Sequence, residues 1–202
     1  MITKHAGICR RWTAATAVLV LTFMAACSRP QPWLLPNITG LSPALKFRMT
    51  DDAGQTVDAA SYRGKVVLLY FGYTHCKDIC PDTLAKLASA IQGLGHEATN
   101  VRVLFVTVDP SRDTVAVLHR YVRAFGRQFV GLRGSNGQLE ALAKRYRVVY
   151  THAPHDAHGD YIVAHSIGVF IFDRSGKARL LATDTDSVGD ITHDLQLLLR
   201  SG

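Results

Sequence analysis

Past residue 27 the 202-residue chain lacks any apolar run long enough to reach across a bilayer, which excludes a polytopic membrane protein. Cysteine is scarce, four in all, so the chain is not held by a framework of disulfide staples. Internal repeats and low-complexity tracts are missing, and 16 Gly with 7 Pro are too few for a collagen-like polymer. Charge is only mildly one-sided. The 23 Lys/Arg against 16 Asp/Glu give +7, spread along the chain, which suits weak attraction to acidic surfaces and argues against nucleic acid as a partner. What is there, 48% hydrophobic and 19% charged residues, fits one globular domain with a short appendage and excludes a disordered chain.

The one apolar run lies at the N-terminus. Lys4, Arg10 and Arg11 precede an uncharged stretch at 12–26, WTAATAVLVLTFMAA, and Cys27 follows. A basic segment, an apolar segment and small residues before a boundary read as a secretory signal over residues 1–26. An uncleaved anchor is the rival, but the stretch is shorter than the roughly 20 apolar residues that a spanning helix needs. Met24-Ala25-Ala26-Cys27 resembles a bacterial lipobox, in which the Cys is acylated and becomes the new N-terminus. Both readings put the remainder outside the cytoplasm, beside a membrane. Loss of 1–26 removes three Lys/Arg and no acid, leaving 20 against 16, a charge of +4. Residues 27–43, with Pro30, Pro32, Pro36 and Pro43, read as a lipidated, extended tether, and 44–202 as the domain.

Strand and helix patterns alternate through that domain, which predicts an α/β fold with a largely parallel central sheet. Asp51-Asp52-Ala53-Gly54 reads as the turn of an N-terminal hairpin. Residues 65–71 and 101–108 are continuous apolar runs, as expected of strands covered on both faces. Helices are predicted from Pro81 to about Gly93, after Asp109-Pro110 and from near Asn136, and an amphipathic helix carrying Ile191, Leu195 and Leu198 closes the chain. Short strands are expected at 129–132, 148–150 and 166–172, with a hairpin partner at 178–182. Together these describe a thioredoxin-like layout, a central sheet flanked by helices.

With Cys9 and Cys27 in the N-terminal segment, the domain keeps only Cys76 and Cys80. They follow a buried strand in Cys76-Lys77-Asp78-Ile79-Cys80-Pro81, so the first Cys falls at or before a helix N-terminus, where free N–H groups favour thiolate. Thioredoxin-type redox pairs have two intervening residues; this pair has three. Two converging thiolates suit a soft ion such as Cu(I), if a third ligand comes from elsewhere. A plain disulfide closing this short loop is the bland alternative. His165, just before the strand at 168–172, is the candidate third ligand, against the ordinary reading of a packed histidine. His152, His155 and His158 share a Pro- and Gly-containing loop, a solvated segment or an accessory metal-capture site. His75 is read as pointing to solvent. Asp109 reads as a helix N-cap with Pro110 at the first helical position, with support of the cysteine site as the alternative.

Residues 64–81, GKVVLLYFGYTHCKDICP, resemble the signature of the Sco/SenC family, copper-binding proteins used in cytochrome c oxidase assembly. Two further blocks agree in order: TVDPSRDT at 107–114, and His165-Ser166 followed by Phe170-Ile171-Phe172-Asp173. The resemblance implies a thioredoxin-like fold and Cys76, Cys80 and His165 as ligands of one copper ion, Cu(I) and also Cu(II). It further implies a membrane-tethered, periplasm-facing place in the bacterial cell envelope. Lys77 stands where the family commonly has Pro, and Ala164 where Asp often precedes the His, which bears on how the imidazole is oriented. Two functions follow. One is a metallochaperone that delivers copper to the CuA-bearing subunit of cytochrome c oxidase, supplied by an upstream periplasmic copper donor. The other is a thiol–disulfide oxidoreductase that uses Cys76 and Cys80 to reduce the CuA cysteines, and is itself served by a thiol reductant. Nothing in the motifs suggests a peroxide pocket.

Overall fold

The computed structural model describes residues 33–201; the signal expected over 1–26 and the acylation site expected at Cys27 lie outside them. Nine strands and four α-helices follow in order: β1 (Arg48–Asp51), β2 (Thr56–Asp58), β3 (Val66–Gly72), α1 (Ile79–Gln92), β4 (Val101–Thr107), α2 (Val115–Arg123), β5 (Phe129–Arg133), α3 (Asn136–Tyr146), β6 (Tyr150–His152), β7 (Val163–His165), β8 (Val169–Phe172), β9 (Ala178–Ala182) and α4 (Val188–Arg200). Seven of the strands form one sheet in the order β2-β1-β5-β4-β3-β8-β9. Its centre, β3, β4 and β5, is parallel, with Val66 opposite Val101 and Gly72 opposite Thr107. The flanking strands are antiparallel.

The physical reason is in the side chains. Every residue of β3 is buried, as a strand with no solvated face must be, and β4 is buried at all but Arg102. The β1–β2 turn places Gly54 at φ 79°, a left-handed conformation that a side chain would strain. No helix among the described residues is long and apolar enough to cross a membrane.

The sheet is thus mixed and not largely parallel as the strand–helix alternation suggested, because four of its six pairings are antiparallel. Four further expectations need correction. First, α1 begins at Ile79, so Pro81 sits inside the first turn, where its missing N–H has no helical partner to lose. Second, α2 begins at Val115 and is capped by Thr114, whose hydroxyl accepts from the Val117 N–H; Asp109 caps nothing. Third, the strand expected at 166–172 starts at Val169, and the chain before it forms β7, which pairs with β6 in a separate two-stranded ribbon. Fourth, the tether expected over 27–43 is already docked from residue 33. Leu35 is buried, Ile38 donates to the Arg179 carbonyl, and the Asp194 carboxylate of α4 accepts the backbone N–H groups of Leu34 and Leu35. Asp194→Ala would strand the buried Leu35 N–H and leave the part-buried Leu34 N–H without its acceptor; a loss of about 1–3 kcal/mol is expected in urea denaturation, and an unchanged midpoint would refute the docking.

Candidate metal centre

The carboxyl ends of the parallel strands face one rim of the sheet, the usual position of a functional crevice in open α/β folds. β3 ends at Gly72 and releases the loop that carries Cys76; Cys80 follows in the first turn of α1. Cys76 is half-buried and Cys80 fully buried, and both are free thiols. The Cys80 backbone N–H, one of the unpaired donors at the start of α1, points at the Cys76 sulfur at 3.4 Å.

His165 closes β7 and meets Cys80, its Nε2 lying 3.3 Å from the Cys80 Sγ. The Nδ1 lies 2.9 Å from the Ser166 carbonyl oxygen. A carbonyl can only accept, so Nδ1 carries the hydrogen and Nε2 presents its lone pair to the sulfur. Tyr70 and Tyr73 pack edge-on against the imidazole at 6.1 and 6.0 Å between ring centres. Burial holds His165 below its usual pKa of 6.5, against the Ser166 bond, so the ring is neutral at physiological pH. Burial pushes the Cys80 thiol up to about 12, in spite of hydrogen bonds from the Tyr73 backbone and the Tyr70 hydroxyl.

The two sulfurs and the imidazole nitrogen all lie within 4.8 Å of one another, and among the described residues no other group of three His, Cys, Asp or Glu side chains converges this way. The loop histidines do not. His152 and His155 pack separately on the Tyr161 ring, at 5.6 and 4.8 Å, and His158 is exposed. His75 is half exposed, yet its Nδ1 also approaches Thr74 Oγ1 at 3.2 Å, so it is not wholly a solvent residue. A cavity of about 670 Å³ opens beside the thiols, bounded by Lys77, Ile79, Arg112, Tyr161 and Ala164.

Several residues that matter here were not singled out from sequence. Tyr70 and Tyr73 are hidden in a strand and loop that look merely apolar. Arg112 and Asp113 stand in a block of charges directly after a buried strand, the one local signal that could have drawn attention to them. Gly72 lies under the site: a Cβ there would sit 2.7 Å from Phe105 Cε2 and 3.1 Å from the Cys80 sulfur. Gly72→Ala should therefore cost about 1–3 kcal/mol through overpacking. Chemical denaturation measures it, and an alanine variant as stable as the parent would contradict this packing.

Comparison with known proteins agrees with the geometry. A family profile described as SCO1/SenC matches residues 41–200. The mitochondrial SCO2 homologue of Bos taurus is 44% identical over 151 residues, 70% of this chain and 57% of that protein. The chain thus spans a little over half the length of that relative. Among solved structures, Arabidopsis thaliana ScoI with copper bound is 34% identical with a TM-score of 0.73, over 79% of this chain and 99% of that one. Bradyrhizobium japonicum ScoI with copper bound is 31% identical with a TM-score of 0.72, over 78% and 100%. The fold is that of these thioredoxin-like proteins, a mixed sheet flanked by helices.

Proposed function

The chain belongs to the SCO1/SenC family, and from that premise we propose that it is a copper metallochaperone, which takes one copper ion on Cys76, Cys80 and His165 and delivers it to the CuA centre of cytochrome c oxidase. The observation that carries this reading is the convergence of two sulfurs and one nitrogen within 4.8 Å, with the imidazole already presenting its free nitrogen. Soft thiolates with one imidazole select Cu(I), and the same set accepts Cu(II). Cys80 is locked in the core and Cys76 is half-buried beside the open cavity, so a receiving protein's thiolates can replace Cys76 first and Cys80 last. Copper is cargo in this scheme, passed on by ligand exchange. Two copper-bound structures of similar proteins support the choice of metal. The partners in this reading are the CuA-bearing subunit downstream and a periplasmic copper donor upstream. Residues 1–26 serve either as a signal whose removal leaves an acylated Cys27 or as an uncleaved anchor, and either keeps the domain on the periplasmic face of the membrane.

The half-buried Cys76 also supports a second reading. Its thiolate can attack a disulfide in the CuA-bearing subunit, after which Cys80 resolves the mixed disulfide. The target gains two thiols and this chain gains the Cys76–Cys80 bond, to be reduced again by a thiol reductant. His165 has no part in that exchange.

Anaerobic titration of the reduced full chain with Cu(I), against a chromophoric chelator, separates the two. One tightly held copper per chain, transferable to a CuA domain on mixing, is the expected result; no tight binding would leave the reductase. The pH dependence has a definite sign. With its thiol raised to about 12, Cys80 is protonated at neutral pH, and copper must displace that proton. Affinity should therefore rise about tenfold per pH unit through Cys80 alone, and a flat profile near neutrality would contradict the assignment of Cys80 as a ligand.

A further inference from the structure

The block between β4 and α2 holds two carboxylates, Asp109 and Asp113, that are completely buried. A buried carboxylate is costly unless hydrogen-bonded. The local explanation, capping of α2, does not apply, because Thr114 makes that cap. Their bonds go elsewhere, in two directions.

Asp113 reaches the cysteine loop. Its Oδ1 accepts from the Thr74 hydroxyl at 2.6 Å and its Oδ2 from the Thr74 backbone N–H at 3.1 Å, and the Thr107 hydroxyl at the end of β4 donates to it as well. Thr74 is two residues before Cys76. Asp109 and Arg112 reach the other way. The Tyr161 hydroxyl donates to Asp109 Oδ1 at 2.7 Å, Arg112 pairs with Asp109 Oδ2, and its Nη2 donates to the Tyr161 carbonyl at 3.0 Å. The guanidinium also lies over the Tyr161 ring, 3.6 Å from its centre. Tyr161 stands two residues before β7, the strand that ends in His165.

We propose that this strand-end block is a brace that fixes the distance between the two halves of the metal centre, with Asp113 holding the cysteine loop and Arg112 with Asp109 holding the histidine strand. β7 needs such a hold. It is three residues long and belongs to a two-stranded ribbon outside the main sheet, and among the described residues its only partner strand is β6. A ribbon of that size is marginal by itself. Arg112 suits the task because its planar fork can donate to Asp109 and Tyr161 at once while stacking on the ring, which Lys cannot do. These are positioning residues: none offers an atom to the metal, and each acts through a ligand's neighbour.

The inference rests on the copper reading, and the test keeps the two apart by including a metal-free measurement. In the full chain, Arg112→Ala should speed amide hydrogen exchange at Ala164 and Ser166, whose N–H groups bond across the ribbon, about tenfold or more without copper, with β4 and β8 unchanged. It should also weaken Cu(I) binding about 10–100-fold, the range found for outer-shell partners, while the dithiol–disulfide equilibrium against glutathione moves by less than about threefold. Arg112→Lys should give smaller changes in the same direction, and carries the test if the alanine variant does not fold. Asp113→Asn should reverse the pattern, shifting the dithiol equilibrium by about tenfold while exchange in β7 stays as in the parent. If exchange in β7 is the same in Arg112→Ala and parent, or rises equally throughout the sheet, the brace is overturned. If β7 responds as stated but the parent chain takes up no copper, the brace stands and the copper reading falls.

Discussion

Replacing His165 with alanine should lower Cu(I) affinity by more than about a hundredfold. Outer-shell groups alone change metal affinity by about 10–100-fold, and the loss of a direct ligand exceeds the loss of its support. The geometry makes the effect specific. His165 Nε2 is 3.3 Å from the Cys80 sulfur, the ring's hydrogen on Nδ1 is committed to the Ser166 carbonyl at the far side, and among the described residues no second imidazole joins the group. The same variant should still exchange disulfides, because Cys76 keeps its place and the N–H of Cys80 still points at its sulfur. Chelator competition and the rate of reaction with a small disulfide, measured on one preparation, decide the matter. Copper affinity that survives the change would sink the three-ligand site, whereas exchange that collapses with it would mean His165 serves the thiols themselves. Cys76→Ser should abolish both properties, whereas Cys80→Ser should abolish tight copper binding but leave Cys76 to react with the small disulfide and stop at the mixed disulfide.

Phe105→Ala should be the most destabilising single truncation near the site, at about 3–5 kcal/mol. Phe105 is fully buried in the middle of the parallel sheet, packs against the rings of Tyr70 and Tyr121 at 6.1 and 5.4 Å between centres, and lies above the bare Cα of Gly72. No neighbour can move in to fill the void, since β3 and β4 are tied to each other along seven residue pairs. Against the 5–15 kcal/mol of stability usual for a domain, the midpoint of urea denaturation should fall steeply, and the melting temperature by about 10 °C. A fall of less than about 1.5 kcal/mol would mean that the core around Cys80 collapses more readily than its packing suggests.

How far the sequence could be read follows from where each residue finds its partner. β3 and β4 are runs of Val, Leu and Phe, and burial on both faces is written in that continuity. The turn at Gly54 and the hairpin of β8 and β9 were equally local. The cysteine pair announced its chemistry by spacing, and His165 joined it through family resemblance, for nothing in Val163-Ala164-His165 distinguishes a ligand from a packed ring. Two of the misreadings share one cause. Asp109-Pro110 has the form of a helix start, but its carboxylate had been claimed by Tyr161, 52 positions away. Residues 33–43 have the prolines of a spacer, yet Leu34 and Leu35 bond to Asp194, some 160 positions on. Local propensity is blind to such partners, and they decided the outcome.

Cys80 and His165 meet across 85 positions of sequence, and β8, which follows the histidine, is inserted between β3 and β9. Pairings over such distances close slowly, after local turns and helices have formed. In a chain emerging from synthesis the imidazole of His165 therefore reaches the two thiols only once the later strands have docked. Copper held by all three donors thus marks a molecule that has finished folding, and by mass action it would favour that state, by about 2.7 kcal/mol at a hundredfold excess over Kd. If the molecule carries copper as proposed above, emptying it removes that increment, so each delivery should leave behind a donor that unfolds more easily than the one that set out.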